Sequence, residues 1–189
     1  MAEFYYRSNV DLIKNVKAES LIERRINYQS EKTHYSSLMY NRLMKQGTFE
    51  KQIFIQSDVA TVVGVVANYN QHHKIHPLIE NVEQAQDAPA GIQRFIITDR
   101  LQWGPFKFKI KYRADIISVT EDTVHTEAYQ SPNTFVENIT KVTPAQNGVT
   151  LHETITLKAP DLLFGYAFGQ AQTAHEEMLK RIKNFVEKS

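Results

Sequence analysis

Between positions 106 and 116 apolar and polar residues alternate without a break. Phe106, Phe108, Ile110, Tyr112, Ala114 and Ile116 fall on one side of an extended chain, and Lys107, Lys109, Lys111, Arg113 and Asp115 on the other. A period of two predicts a strand with one face on a core and one in water. Residues 79–86, 92–101, 123–130 and 134–143 read as further strands separated by turn residues. Asn147-Gly148 predicts a hairpin turn, because both residues tolerate positive φ. In the strand that follows, Val149, Leu151, Glu153, Ile155 and Leu157 face inward, and Thr150, His152, Thr154 and Thr156 outward. Upstream, residues 49–56 form a strand. Ser57 and Asp58 then offer an N-cap to a short apolar helix over 59–67, and a more polar helical turn over 69–75 is stopped by Pro77.

The last thirty residues change period. Phe164, Phe168, Ala171, His175, Met178, Ile182 and Phe185 step by four and three, the spacing of one helix face. Leu163, Ala167, Ala174, Leu179 and Val186 widen it. Pro160 and Asp161 start the helix, and Lys180, Arg181, Lys183 and Lys188 crowd its negative end. A helix over 160–189 would be roughly 40 Å long, and a curved sheet is the natural cover for its apolar face. The stripe is bulky at its ends and small at Ala167, Ala171 and Ala174, so mid-helix is either closely packed or the floor of a cavity. Gly165 and Gly169 suggest close approach or pliability near the helix start.

The order of elements is strand, two short helices, about six strands, long helix. On this order, and on the run Gly148-Val149-Thr150-Leu151-His152-Glu153-Thr154-Ile155-Thr156-Leu157-Lys158-Ala159-Pro160, the chain resembles the helix-grip fold of the START and Bet v 1 superfamily, which includes polyketide cyclase-like proteins. The resemblance covers about residues 47–189. It implies an α+β domain in which a curved antiparallel sheet wraps around the C-terminal helix. Val149 stands where the bacterial ligand-binding branch usually has threonine, and Asn138 and Thr140 where some members have histidines. The expected organisation is a helical N-terminal extension over 1–46 and a ligand-binding domain over 47–189, with Gly47 at the boundary. The extension could pack on the domain, form a homodimer contact or be partly disordered.

Composition narrows the partners. The chain of 189 residues has a formal net charge of +1 and no cysteine. Disulfides, thiolate metal sites and a cysteine nucleophile are excluded, and a reducing compartment suits the composition. No apolar run approaches the roughly 18 residues of a membrane span, and the N-terminus has no signal-peptide pattern. The expectation is a cytoplasmic protein without stable membrane insertion. The row Lys107, Lys109, Lys111 and Arg113 reads as a solvated outer face rather than a nucleic-acid site, since the neighbouring aromatics point the other way.

Two residues break apolar series. Glu153 interrupts an inward-facing strand and His175 interrupts the helix stripe. A buried carboxylate must be paired, hydrogen-bonded or neutral, and Arg94, Tyr112, Tyr129, Asn138, His125 and His175 are its candidate partners. A satisfied structural pair, a ligand-orienting pair and an acid–base pair all remain open. His72 and His76 stand one helical turn apart, but no HExxH pattern accompanies them. They are expected to form a polar rim or plain surface, with no metal and no cofactor. No nucleophile elbow, phosphate loop or dinucleotide fingerprint occurs.

The reading is therefore a binding protein for a small, mostly hydrophobic molecule (a lipid, an aromatic or a polyketide) held between sheet and helix. The expected lining is Glu153, Tyr112, Phe108, Ile110, Asn138, Leu151, Ile155, Phe164, Phe168, Ala171 and His175. Two alternatives stand beside it. One is a cyclase or dehydratase using cavity acid–base residues, which the resemblance allows. The other is an interaction module with a filled core. A deep pocket holding Glu153 close to His175 or His125 would favour catalysis.

Overall fold

The computed structural model of the protein describes residues 43–188. Most of the extension expected over 1–46, and with it the homodimer contact, lies outside the described residues. The part of it that is described is strand: β1 runs Met44–Ile55 and contains Gly47.

After β1 come α1 (Val59–Ala67), a single 3-10 turn (Tyr69–Gln71) and α2 (His72–Ile75). Six strands follow: β2 (Ile79–Gln84), β3 (Gln93–Trp103), β4 (Phe106–Val119), β5 (Thr123–Gln130), β6 (Thr134–Ala145) and β7 (Gly148–Pro160). The long helix α3 closes the chain at Asp161–Glu187. The seven strands make one antiparallel sheet in the order β1-β7-β6-β5-β4-β3-β2. Two short helices after the first strand and a long helix on a curved sheet constitute the helix-grip fold.

Local chemistry accounts for the junctions. Asp58 caps α1: Oδ1 accepts from the Thr61 backbone N–H at 2.8 Å, and Oδ2 from the Thr61 hydroxyl at 2.8 Å. Pro160 is both the last residue of β7, opposite Met44, and the N-cap of α3, so the helix begins one residue later than the composition predicts. The β6–β7 turn also differs. Ala145 pairs with Gly148, which leaves Gln146 and Asn147 as the turn, and Asn147 alone takes positive φ, at 63°. Gly148 is needed for proximity instead, since a Cβ there would lie 2.3 Å from the Ile55 carbonyl oxygen.

The core has two parts. At one end the second half of α3 (Met178, Leu179, Ile182, Val186) packs with Val62, Val63 and Val66 of α1 and with Ile55, Phe95, Ile97, Val142 and Leu151 of the sheet. Ile182 is 1% exposed, and its truncation to alanine would cost about 2–5 kcal/mol. At the other end Phe164 packs with Leu157 and Ala159, flanked by Phe168. Here the close approach is made from the strand: a Cβ on Gly47 would meet Phe164 Cζ at 2.8 Å and Phe168 Cε2 at 2.9 Å. Gly165 and Gly169, expected to serve close approach, face open space instead.

The outer face of β4 carries the lysine row. Lys109 pairs with Glu80 at 2.6 Å, and Lys111 stands 3.8 Å from Glu83, both acids on β2 or at its edge. Phe106 is in phase with the core residues but 73% exposed, because the strand runs past the end of the core. Among the described residues no helix is long and apolar enough to cross a membrane.

Candidate functional site

Between the two parts of the core the helix presents Ala167, Ala171 and Ala174, and the sheet curves away from them. The space left is a cavity of about 340 Å³. Small side chains at mid-helix thus form the floor of a cavity and are not packed solid.

Strands β3 to β7 contribute alternate residues to the lining. β3 gives Asp99 and Leu101; β4 gives Phe108, Ile110, Tyr112 and Ala114; β5 gives Thr126 and Ala128; β6 gives Val136, Asn138 and Thr140; β7 gives Glu153 and Leu157. Tyr69, His72 and His76 cover the side next to α1. Phe108, Ser131 and Pro132 line the cavity and are also exposed.

Glu153 is 0% exposed and lies on the interior face of β7. Its carboxyl group is held from two sides. Asn138 Nδ2 donates to Oε1 at 3.0 Å and the Thr140 hydroxyl to the same oxygen at 3.4 Å, both from β6. His175 Nδ1 lies 3.0 Å from Oε2, from α3. An ionised carboxylate only accepts, so this set of donors suits it. The contact fixes Nδ1–H on the His175 ring and leaves Nε2 without a protein partner among the described residues. Phe49 and His76 meet that ring edge-on at centroid distances of 6.0 and 6.2 Å.

A second acid was not foreseen. Asp99 is 4% exposed and lines the cavity from β3, separated from β7 by β4, β5 and β6. Oδ2 accepts the Tyr112 hydroxyl at 3.2 Å, and Oδ1 has no partner. Burial pushes the Asp99 carboxyl up to about 6, against the smaller opposing effect of the Tyr112 bond. The signal was in the sequence: Asp99 is in phase with Phe95, Ile97 and Leu101. It was obscured by its neighbours Thr98 and Arg100, which make 98–100 look like a polar strand end.

His72 and His76 line the cavity, His72 buried and His76 half-buried, while His73 is exposed. His72 is buried, donates from Nε2 to the Val66 carbonyl at 2.8 Å and stacks on Tyr69 at 4.0 Å. Burial lowers its pKa to about 4. His76 accepts the Leu78 backbone N–H on Nδ1 at 3.3 Å, and burial holds it well below the ordinary histidine range. Burial also raises the Tyr69 phenol to about 12 and carries Tyr112 well above its usual value.

Of the expected lining residues, Glu153, Tyr112, Phe108, Ile110, Asn138, Ala171 and His175 meet around the cavity. Leu151 and Ile155 are fully buried in packing beside it, and Phe164 and Phe168 pack against β1 at Gly47, so these four do not line it. Of the expected partners of Glu153, Asn138 and His175 contact it. Tyr112 turns to Asp99, while Arg94, Tyr129 and His125 lie on the outer face. There Arg94 grips Asp115 through Nε at 2.8 Å and Nη2 at 2.9 Å. Tyr129 hydrogen-bonds Glu127, and His125 Nε2 lies 3.1 Å from Glu137. His125, Glu127 and Glu137 bring metal-ligating atoms within 4.8 Å of one another on that face, half-buried and remote from the cavity.

No family model and no curated protein sequence matches the chain. Solved structures do. The di-domain ARO/CYC StfQ from the steffimycin biosynthetic pathway superposes with a TM-score of 0.63 at 16% identity, over 76% of this chain and 51% of that one. The chain thus spans about half of StfQ. Ara h 8.0201 gives 0.55 at 17% identity over 77% and 100% of the two chains. Truncated norcoclaurine synthase from Thalictrum flavum gives 0.58 at 12% over 76% and 94%. The chain therefore shares the helix-grip fold of these structures.

Proposed function

We propose that the protein binds a small, mostly apolar molecule in the cavity between its sheet and α3. The observation that carries this is the cavity itself: about 340 Å³, floored by alanines, walled by Phe108, Ile110, Leu157 and Met178, with a few convergent polar groups. Ligand sites combine an apolar wall with sparse, placed polar atoms in this way. A lipid, an aromatic or a polyketide fits that description, and a cytoplasmic location goes with the cysteine-free composition. Native mass spectrometry of freshly purified protein tests the reading. A co-purified small molecule released by denaturation supports it. Failure to retain any molecule, together with no uptake of a neutral apolar dye, would overturn it.

A second reading rests on a specific contact. Glu153 orients His175 through Nδ1 at 3.0 Å, which leaves Nε2 as a lone-pair base for a proton on a bound molecule. This is the base-plus-orienter arrangement of acid–base catalysis. StfQ, an ARO/CYC, and norcoclaurine synthase share this fold, which agrees with such a reading. A cyclisation or dehydration is the reaction class that cavity acid–base groups could serve without a cofactor. Turnover of a cyclisable polyketide mimic that is lost in His175→Gln but retained in a distant variant would support it. Equal rates in both would overturn it.

A further inference from the structure

The cavity's unsatisfied atoms indicate what its occupant brings. Two side-chain atoms lining it are buried without a partner, Asp99 Oδ1 and Asn138 Oδ1. The orientation of Asn138 is fixed, because its Nδ2 must face the acceptor-only carboxylate of Glu153. Both orphans are therefore acceptors. A buried acceptor left unmade is costly, and an incoming donor removes that cost.

The charges point the same way. The described lining residues include two carboxyl groups, Asp99 and Glu153, and neither lysine nor arginine. The cations that could neutralise an anionic guest are on the outside of the sheet: Arg94 is bound to Asp115, and Arg113 lies over the Tyr129 ring at 4.0 Å. His72 and His76 are held neutral by burial, and His175 is already engaged with Glu153 through Nδ1 at 3.0 Å. A carboxylate or phosphate headgroup placed inside would meet two acids and no fixed cation, in surroundings where unpaired charge is expensive.

We propose that Asp99 is the polar anchor of this cavity and that its ligands are apolar molecules presenting a hydrogen-bond donor, a hydroxyl or an ammonium group, rather than an anionic headgroup. The inference rests on the cavity being a binding site and narrows what that site accepts. Tyr112 holds Oδ2 and leaves Oδ1 aimed at the guest. Donor-bearing guests gain a hydrogen bond to a charged or strongly polar acceptor, while anionic guests of the same shape lose solvation without recompense.

The test is displacement of the neutral probe N-phenylnaphthylamine at neutral pH by four compounds of shared apolar body: ethylnaphthalene, naphthylethanol, naphthylethylamine and naphthylacetate. The alcohol and the amine are expected to displace the probe at least about tenfold more tightly than the hydrocarbon, the size of one hydrogen bond to a charged group. The acetate should be weakest. In Asp99→Leu the advantage of the alcohol and amine over the hydrocarbon should vanish. In the isosteric Asp99→Asn the amine should lose its advantage while the alcohol keeps part of its own. Equal displacement by all four, or an amine advantage that survives Asp99→Asn, would overturn the proposal while leaving the cavity reading intact. If the probe does not bind and none of the four is taken up, the cavity reading fails and this inference with it. The hydrocarbon arm reports the integrity of each variant, and should Asp99→Leu lose it, Asp99→Asn decides.

Discussion

Two carboxylic acids sit in one cavity, each on an inward strand position between apolar neighbours, and they are treated oppositely. Glu153 takes contacts from β6 and from α3 and has both oxygens occupied. Asp99 has one contact, from the adjacent β4, and one bare oxygen. Burial alone does not tell a structural acid from an available one, since both are at most 4% exposed. The count of donors around each does. Glu153 belongs to a network that positions His175, whereas Asp99 remains open to a guest.

The largest effect should come from removing the satisfied acid. Glu153→Leu would leave His175 Nδ1–H, Asn138 Nδ2 and the Thr140 hydroxyl facing an apolar side chain. Breaking a buried pair from one side costs about 3–5 kcal/mol, readable as a lowered urea midpoint. Glu153→Gln should cost less, because it still offers one acceptor. If Glu153→Leu unfolds at the wild-type midpoint, the network does not hold α3 to the sheet and the contrast between the two acids collapses.

The next effect has the opposite sign and depends on pH. The Asp99 carboxyl titrates at about 6 in the fold against an ordinary value of 3.8. The folded state therefore holds this proton more tightly. The stability it contributes is present below about pH 4 and is lost as pH rises through about 6, in total about 3 kcal/mol at ~1.4 kcal/mol per unit. His72 runs the other way. Its pKa falls from 6.5 to about 4, so its contribution is present above about pH 6.5 and lost as pH falls through about 4. The two slopes oppose each other over most of the same interval. Asp99→Asn should gain on the wild type by up to about 3 kcal/mol between pH 4 and pH 7 in urea unfolding series. A constant difference across that range would mean that Asp99 is not desolvated and that the two acids are alike.

A smaller effect on stability, with a large one on binding, is expected at the floor between the acids. Ala171→Phe should destabilise by about 1–3 kcal/mol through overpacking and abolish uptake of a neutral dye. Retained dye binding would place the guest elsewhere. The smallest effect is expected from deletion of residues 1–43. All named partners of Glu153 and Asp99 lie between Asp99 and His175, and β1 begins at Met44. A chain starting at Met44 should unfold cooperatively with both acids behaving as in the full protein. An insoluble product would show that the extension covers core surface.

The alternation that placed the strands also placed Glu153, because a single acid within Val149, Leu151, Ile155 and Leu157 stands out. Two of its three partners were legible for the same reason. His175 breaks a helix stripe, and Asn138 lies on a neighbouring inward face. Thr140, two residues on along that face, was not assigned to it, since threonine is ordinary in strands. Asp99 was hidden by polar neighbours on the opposite face. Phe164 and Phe168 were misplaced for another reason. A helix stripe wider than its cavity is divided between the cavity and the strand that borders it, and periodicity does not say where the division falls. Gly47 decides it by admitting both rings on the β1 side. The family likeness read from residues 148–160 agrees with the folds of StfQ and Ara h 8.0201, but the likeness extends to architecture and not to the ligand.

The notch at Gly47 also decides how the cavity can be approached. Phe164 and Phe168 stack at 5.1 Å and Phe168 meets Phe49 edge-on at 5.3 Å, so the start of α3 is riveted along the β1 flank. A box riveted along one side admits its contents from another. The residues that both border the cavity and face solvent, Phe108, Ser131 and Pro132, stand away from that seam, at the start of β4 and in the β5–β6 turn. They frame a doorway with an aromatic jamb on one side and a proline threshold on the other. Beyond Phe108 on β4, Ile110 and Tyr112 line the cavity, and Tyr112 holds Asp99. A side chain added at residue 47 would have to pry the rivets apart, and the doorway would then have a rival on the opposite wall.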